Sequence, residues 1–354
     1  MFGEVYKGRR TLVTGHTGFK GSWLRLWLER LGAEVTGYAL VPKTDPNHSD
    51  LLALTSPSTI ADVRNLDALL AHFATYRPEV VFHLAAQASV LYSYDDPLET
   101  FSTNVFGTAN LLEACRRTDH VRAVVVVTSD KCYENREWVW GYRENDPLGG
   151  HDPYSASKAC TEIVSASYGR LLRGRGLVAT ARGGNVLGGG DWTADRLIPD
   201  AMRAVARGEM VRVRNPNSSR PWQHVLDLSA GYLLLGQRLL EGRTEVAEAW
   251  NFGPSADANL TVASLIARMQ KVWPGLRAEM APQEGAPHEA GALMVDSTKA
   301  RRILQWEPVW DIRDTLDRTA AWYRAWFNDG EVLSIRQIDE YTAQAVRQSV
   351  VWAR

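Results

Sequence analysis

Three glycines spaced three apart, set between an apolar strand and an apolar-striped helix, constrain this chain more than any other feature. Residues 10–14 read as a strand, Gly15-His16-Thr17-Gly18-Phe19-Lys20-Gly21 follows, and residues 22–31 carry apolar side chains at helical spacing. A loop of this kind lets backbone amides approach a pyrophosphate, and the helix N-terminus favours the negative charge. The third glycine allows helix and strand to pack closely. The pattern continues with strands near 34–40, 59–63, 80–86, 125–129 and 177–181, and with helices over 66–76 and 97–117. Strands alternating with helices in this way predict a doubly wound parallel (Rossmann-type) sheet, an α/β fold whose ligands bind beyond the carboxyl ends of the strands.

The chemistry is expected at one such end. Val125-Val126-Val127 runs into Ser129-Asp130-Lys131, and Tyr154 stands four residues before Lys158. Four residues is about one helical turn, so phenol and amine share a face, with Pro153 suited to the first turn. An ammonium beside a phenol favours the phenolate, which predicts a lowered Tyr154 pKa and a base able to take a proton from an alcohol. Positive charge is written mostly as arginine, with seven lysines in all, and Lys131 and Lys158 are two of them. Lysine, unlike arginine, can lose its proton at working pH.

Composition narrows the partners. Forty basic residues balance forty-one acidic ones, no basic stripe suggests nucleic acid, and no apolar run approaches a membrane span, so a small-molecule partner and a cytoplasmic location are expected. The start of the chain does not read as a signal peptide. Cys115, Cys132 and Cys160 fit neither a disulfide framework nor a zinc site, and the histidines lack ligand spacing, so no metal is expected.

The second strand runs into Val41-Pro42-Lys43 without the acid that often selects NAD, leaving NAD and NADP open, with Lys43 or Arg64 as contacts for a 2′-phosphate or as surface charges. Asp62 is placed to accept from an adenine amino group or to cap the next helix. The aromatic segment 134–150 reads as a loop over the site. Past residue 181 the glycine-rich stretch 182–190 opens a smaller mixed lobe, where Arg196 and Arg220 could clamp a diphosphate. Asp227 is expected to cap a helix over 228–240 and Asp296 one running through Leu304; Trp322 and Trp326 read as packing residues. The domain division expected is 1–181 with 224–250 for the cofactor, and 182–223 with 251–354 for the substrate.

Taken together, Gly15-x-x-Gly18-x-x-Gly21, Leu84-Ala85-Ala86-Gln87, Thr103-Asn104 and Tyr154-x-x-x-Lys158 resemble the extended short-chain dehydrogenase/reductase family of nucleotide-sugar enzymes. Ser129-Asp130-Lys131 is similar to the signature of its 4,6-dehydratases, most of which have Glu where Lys131 stands. That lysine, with Gly15-His16-Thr17-Gly18-Phe19-Lys20-Gly21 and Arg220-Pro221-Trp222-Gln223-His224, is similar to the branch acting on CDP-glucose. The resemblance implies NAD held by Gly15, His16, Thr17, Gly18, Phe19, Gly21, Asp62, Val63, Leu84, Ala85, Ala86, Thr103, Tyr154 and Lys158. It implies a nucleotide sugar held by Gln87, Asn185, Arg196, Leu197, Arg220, Asn251 and His288. It also implies a homodimer or homotetramer built through helices 97–117 and 154–173. Ser129, Asp130, Lys131, Tyr154 and Lys158 are the expected catalytic set, with either Asp130 or Lys131 as the base at C5. A 4-epimerase, a dehydratase for another nucleotide hexose, or a cofactor sensor on the same fold are the competing readings.

Overall fold

The structure is a computed structural model that describes residues 1–281 and 290–354. Seven strands form one parallel sheet: β1 (Arg10–Thr14), β2 (Glu34–Ala39), β3 (Ser58–Ile60), β4 (Val80–His83), β5 (Ala123–Val127), β6 (Leu177–Gly183) and β7 (Ala249–Phe252). Their spatial order is β7-β6-β5-β4-β1-β2-β3, so the winding reverses between β1 and β4, where a crevice must open at the strand ends. Buried side chains of one strand alternate between the two layers of helices. Val125 and Val127 join one core, with Trp23, Trp27 and Phe82, whereas Val124 and Val126 join the other, with Phe73, Leu111 and Leu112. Both faces are covered, which is why these strands read as unbroken apolar runs.

Helix α1 (Phe19–Arg30) follows the glycine loop. Gly15 has φ +71°, and a Cβ on Gly21 would lie 2.1 Å from the Gly15 carbonyl oxygen, so the close approach of helix and loop requires glycine. Helix α2 (Leu66–Tyr76) starts on Asn65, whose side chain accepts from the Ala68 amide. The apolar stretch after Asp96 is not one uniform helix. Pro97–Phe101 and Gly107–Arg117 (α3) are joined by a π-helical turn, Ser102–Phe106. Helix α4 (Pro153–Leu171) begins with Pro153 in its first turn and Asp152 accepting from the Ser155 amide.

Beyond β6 the chain forms short strand pairs, then returns through helix α5 (Val225–Leu240) to β7. His224, not Asp227, caps α5: its Nδ1 accepts from the Leu226 amide. Asp227 lies inside the first turn, fully buried, and accepts from the Val309 amide at 2.6 Å and the Tyr341 hydroxyl at 2.7 Å. It therefore anchors the C-terminal segment, and burial pushes its carboxyl up to about 7. Asp296 accepts from the Thr298 amide at the start of the helical turn that ends at Leu304. Trp322 is fully buried and stacks with Trp326, as packing residues. No helix among the described residues is long and apolar enough to cross a membrane.

Candidate active site

The crevice at the strand ends is walled by Lys20 from the glycine loop, by 88–91 after β4, by 128–131 after β5 and by Tyr154 on α4. Its far side is formed by 183–187, the start of the helix Leu197–Arg207, the strand around Val211 to Arg214, and Arg220. Ser129, Asp130, Lys131 and Tyr154 thus meet at one point, although they come from segments more than twenty residues apart in sequence.

Ser129 caps a single 3-10 turn, with its hydroxyl accepting from the Lys131 amide at 3.2 Å and donating to Asp130 Oδ1 at 3.0 Å. Asp130 Oδ2 is buried without a hydrogen-bond partner among the described residues, against the backbone of Gly184. Burial raises the Asp130 pKa even though Lys131, the Ser129 hydroxyl, Arg220 and Lys20 all pull it down. The carboxyl is therefore biased towards the protonated form, a donor.

The expected depression of Tyr154 is not found in this ligand-free arrangement. Burial pushes the phenol up to about 12, against its hydrogen bond with Ser129 and the charge of Arg196. Lys158 is pulled down to about 7, by burial first and the charge of Lys20 next, and its ammonium group reaches the Val127 carbonyl at 3.4 Å. Burial is the first cause of both shifts, upward for the phenol and downward for the amine. Lys20, itself lowered to about 8 by burial, makes no hydrogen bond or ion pair among the described residues. The sequence offers it only as part of the glycine loop, with no role of its own, although it is another of the seven lysines.

The glycine loop fits a dinucleotide. Gly18 stands at the N-cap of α1 and offers no side-chain cap, leaving the first amides of a twelve-residue helix for an anion. Gly15, Thr17, Phe19, Leu84, Ala85 and Ala86 gather there, with the Leu84 and Ala85 amides fixed on Thr14 Oγ1 at 3.2 Å each. Val63 packs beneath Gly107, and Thr103 sits on the π-helical turn. Asn104, on the same turn, exchanges hydrogen bonds with the Gln87 backbone and donates to Ser157 Oγ at 2.8 Å, tying α3 to α4.

Several expected contacts are differently employed. The His16 ring is buried against Gly37, where a Cβ would come within 2.5 Å, and pairs with Ser58 Oγ at 2.6 Å; only its backbone faces the loop. Asp62 does not cap α2 but binds Arg64 through the amide and the guanidinium, which turns Arg64 to a carboxylate. The Gln87 side chain is spent on Ser89 and Thr100, shaping the segment that walls the crevice. Asn251 is fully buried, held by Tyr133 and by the carbonyls of Tyr142 and Asp296, and does not line the crevice. The 134–150 segment docks on the C-terminal part through Tyr142 and Met294, and its residues 135–137 line a second cavity that reaches Val90 and Lys131 beside the crevice. His288 lies outside the described residues. Asn185, Leu197, Arg196 and Arg220 do line it, Arg196 being paired with Asp191 at 3.1 Å. Among the described residues no cluster could hold a metal ion.

Residues 12–319 match the family model of GDP-mannose 4,6 dehydratase. The chain belongs to that family. A fellow member, the CDP-glucose 4,6-dehydratase of Salmonella typhimurium, is 45% identical over 97% of this chain and 99% of its own. A trifunctional UDP-glucose 4,6-dehydratase, 3,5-epimerase and reductase of Arabidopsis thaliana is 26% identical over 92% of this chain and 49% of its own. Among solved structures, MoeE5 in complex with UDP-glucose and NAD superposes with a TM-score of 0.75 at 25% identity, covering 89% of this chain and 98% of that one. The UDP-glucose 4-epimerase of Thermus thermophilus shares the fold, with a TM-score of 0.77 at 24% identity over 89% and 98% of the two chains.

Proposed function

We propose that this protein converts CDP-D-glucose to CDP-4-keto-6-deoxy-D-glucose with loss of water, using NAD without net consumption. The observation that carries this is the meeting of Ser129, Asp130, Lys131 and Tyr154 on one wall, with Asp130 buried and biased to its acid form. The 45% identity to a CDP-glucose enzyme supports the choice of nucleotide. The glycine loop and the start of α1 would hold NAD, which would supply the acceptor for the C4 hydride and its donor to C6. Tyr154 removes the proton of the 4-hydroxyl, and Ser129 hydrogen-bonds the same oxygen as it becomes a carbonyl. The ketone acidifies the hydrogen on C5, which Lys131 takes while Asp130 protonates the departing C6 hydroxyl, and a proton returns to C5 as C6 receives its hydride. A 4-epimerase would have no use for the last two groups. Arg196 and Arg220 bind the diphosphate, with Asn185 and Leu197 beside the sugar and nucleotide.

We assign the cofactor to residues 1–181 with 224–250 and the substrate to the remainder, and place the protein in the cytoplasm. Incubation with NAD and CDP-, dTDP-, UDP- or GDP-hexoses in deuterated water tests the reaction. Only CDP-glucose is expected to lose one water, gain one deuterium at C5 and leave no net NADH. A product of unchanged mass with every sugar would reject the dehydratase reading.

The same proposal includes a homodimer. Leu98, Phe106, Ile163 and Leu171 expose apolar side chains on the two helical segments expected to pair, with Leu98 82% and Phe106 65% exposed. Replacing Phe106 and Ile163 by Glu is expected to give a monomer in sedimentation; an unchanged mass would move the interface elsewhere.

A further inference from the structure

We propose that the buried Glu162–Arg182 ion pair is a positioning device that clamps both ends of the Ser129–Lys131 segment to the helix bearing Tyr154 and Lys158. Glu162 lies one turn beyond Lys158 on α4, and neither it nor Arg182 lines the crevice. Their side chains are 3% and 4% exposed and meet at 2.9 Å. Glu162 accepts from Thr128, the residue just before Ser129, and from Thr180 at 2.7 Å. Arg182 donates to the Tyr133 hydroxyl at 2.8 Å, two residues past Lys131, and to the Glu144 carbonyl at 3.1 Å. Tyr133 in turn donates to Asn251 Oδ1 at 2.6 Å. Thr128 and Tyr133 therefore bracket the catalytic segment, and one ion pair grips both.

Stability alone does not account for such a pair. Burial strips both ions of hydration, and apolar side chains of similar volume commonly hold a fold as well or better. What apolar packing does not supply is direction. The proposed elimination needs groups at C4, C5 and C6 aligned together, and a misplacement of about 1 Å can cost roughly 100-fold in rate. The inference rests on the dehydratase reading for the number of groups to be aligned, but the clamp also sets Ser129 against Tyr154, which hydride transfer alone requires.

The test compares Glu162→Leu, Arg182→Met and the double variant for melting temperature, KM, kcat and the single-turnover rate of NADH formation. Each single variant leaves a buried charge unpaired and should melt lower than wild type. The double variant should recover most of the melting temperature yet keep a kcat down about 100-fold with KM little changed. Wild-type kcat in the refolded-stable double variant would overturn the clamp. Should the double variant not fold, Thr128→Val with Tyr133→Phe removes the two hydroxyl grips and keeps the ion pair; wild-type NADH formation there would overturn it equally. If wild-type protein forms NADH from a nucleotide sugar but never releases water, the dehydratase reading fails, and the NADH rate still judges the clamp.

Discussion

Tyr154→Phe is expected to suppress the first step, NADH formation from bound sugar nucleotide, by about 10⁴-fold, the upper range for a lost general base. The substitution removes one oxygen from a side chain that is 8% exposed, so folding and nucleotide affinity should persist, and calorimetric binding of CDP-glucose checks that. The pH dependence carries a sharper signature. With its pKa near 12 in the ligand-free arrangement, the phenol would be ionised in roughly one molecule in 10⁵ at pH 7. Hydride transfer should therefore accelerate with rising pH, about tenfold per unit below the phenol pKa of the ternary complex, because the active form is the deprotonated one. Arg196 and the Ser129 hydroxyl already bias Tyr154 in that direction, and a bound pyridinium would add to it. In the Phe variant the rising limb should vanish. A variant that forms NADH within tenfold of wild type would remove Tyr154 from the reaction.

Much of this arrangement could be read from the chain, for reasons that differ from part to part. Strand β1 and helix α2 fall at the expected residues because their signals are local, an apolar run for the strand and apolar residues at helical spacing for the helix. The Ser129–Lys131 segment was legible as a candidate because its residue types have few uses together. What escaped was set by distant contacts. Asp227 has the look of a cap, but its partners Val309 and Tyr341 lie some eighty and more than a hundred residues away, and no local pattern reveals them. Asn251 and Gln87 are polar residues at strand ends, where ligand contact and internal hydrogen bonding give the same sequence. The π-helical turn at Asn104 keeps ordinary helix formers and is visible only through the bonds it makes to Gln87 and Ser157. The Tyr154 and Lys158 spacing carries no information about burial, which pushes the phenol up and the amine down. Lys20 was readable in principle, since a lysine in a glycine loop of a lysine-poor chain is as unusual as Lys131.

Lys131→Ala is expected to separate the two halves of the reaction. Tyr154, Lys158 and Ser129 remain, so hydride transfer from C4 should proceed and NADH should accumulate to one equivalent per site instead of vanishing. Water loss should fall by about 10³-fold, within the range for removing a general base. Deuterium exchange at C5 should fall with it, because that hydrogen leaves only when a base takes it. Asp130→Asn supplies the contrast: the C5 hydrogen should still exchange, since Lys131 is intact, while the C6 hydroxyl stays in place for want of an acid. The burial that raises the Asp130 pKa favours the carboxyl as the donor in this division. Were the assignments reversed, Asp130→Asn would abolish C5 exchange and Lys131→Ala would keep it. Equal loss of the first hydride transfer in Lys131→Ala and Tyr154→Phe would sink the role given to Lys131, because an elimination base has no part in that step.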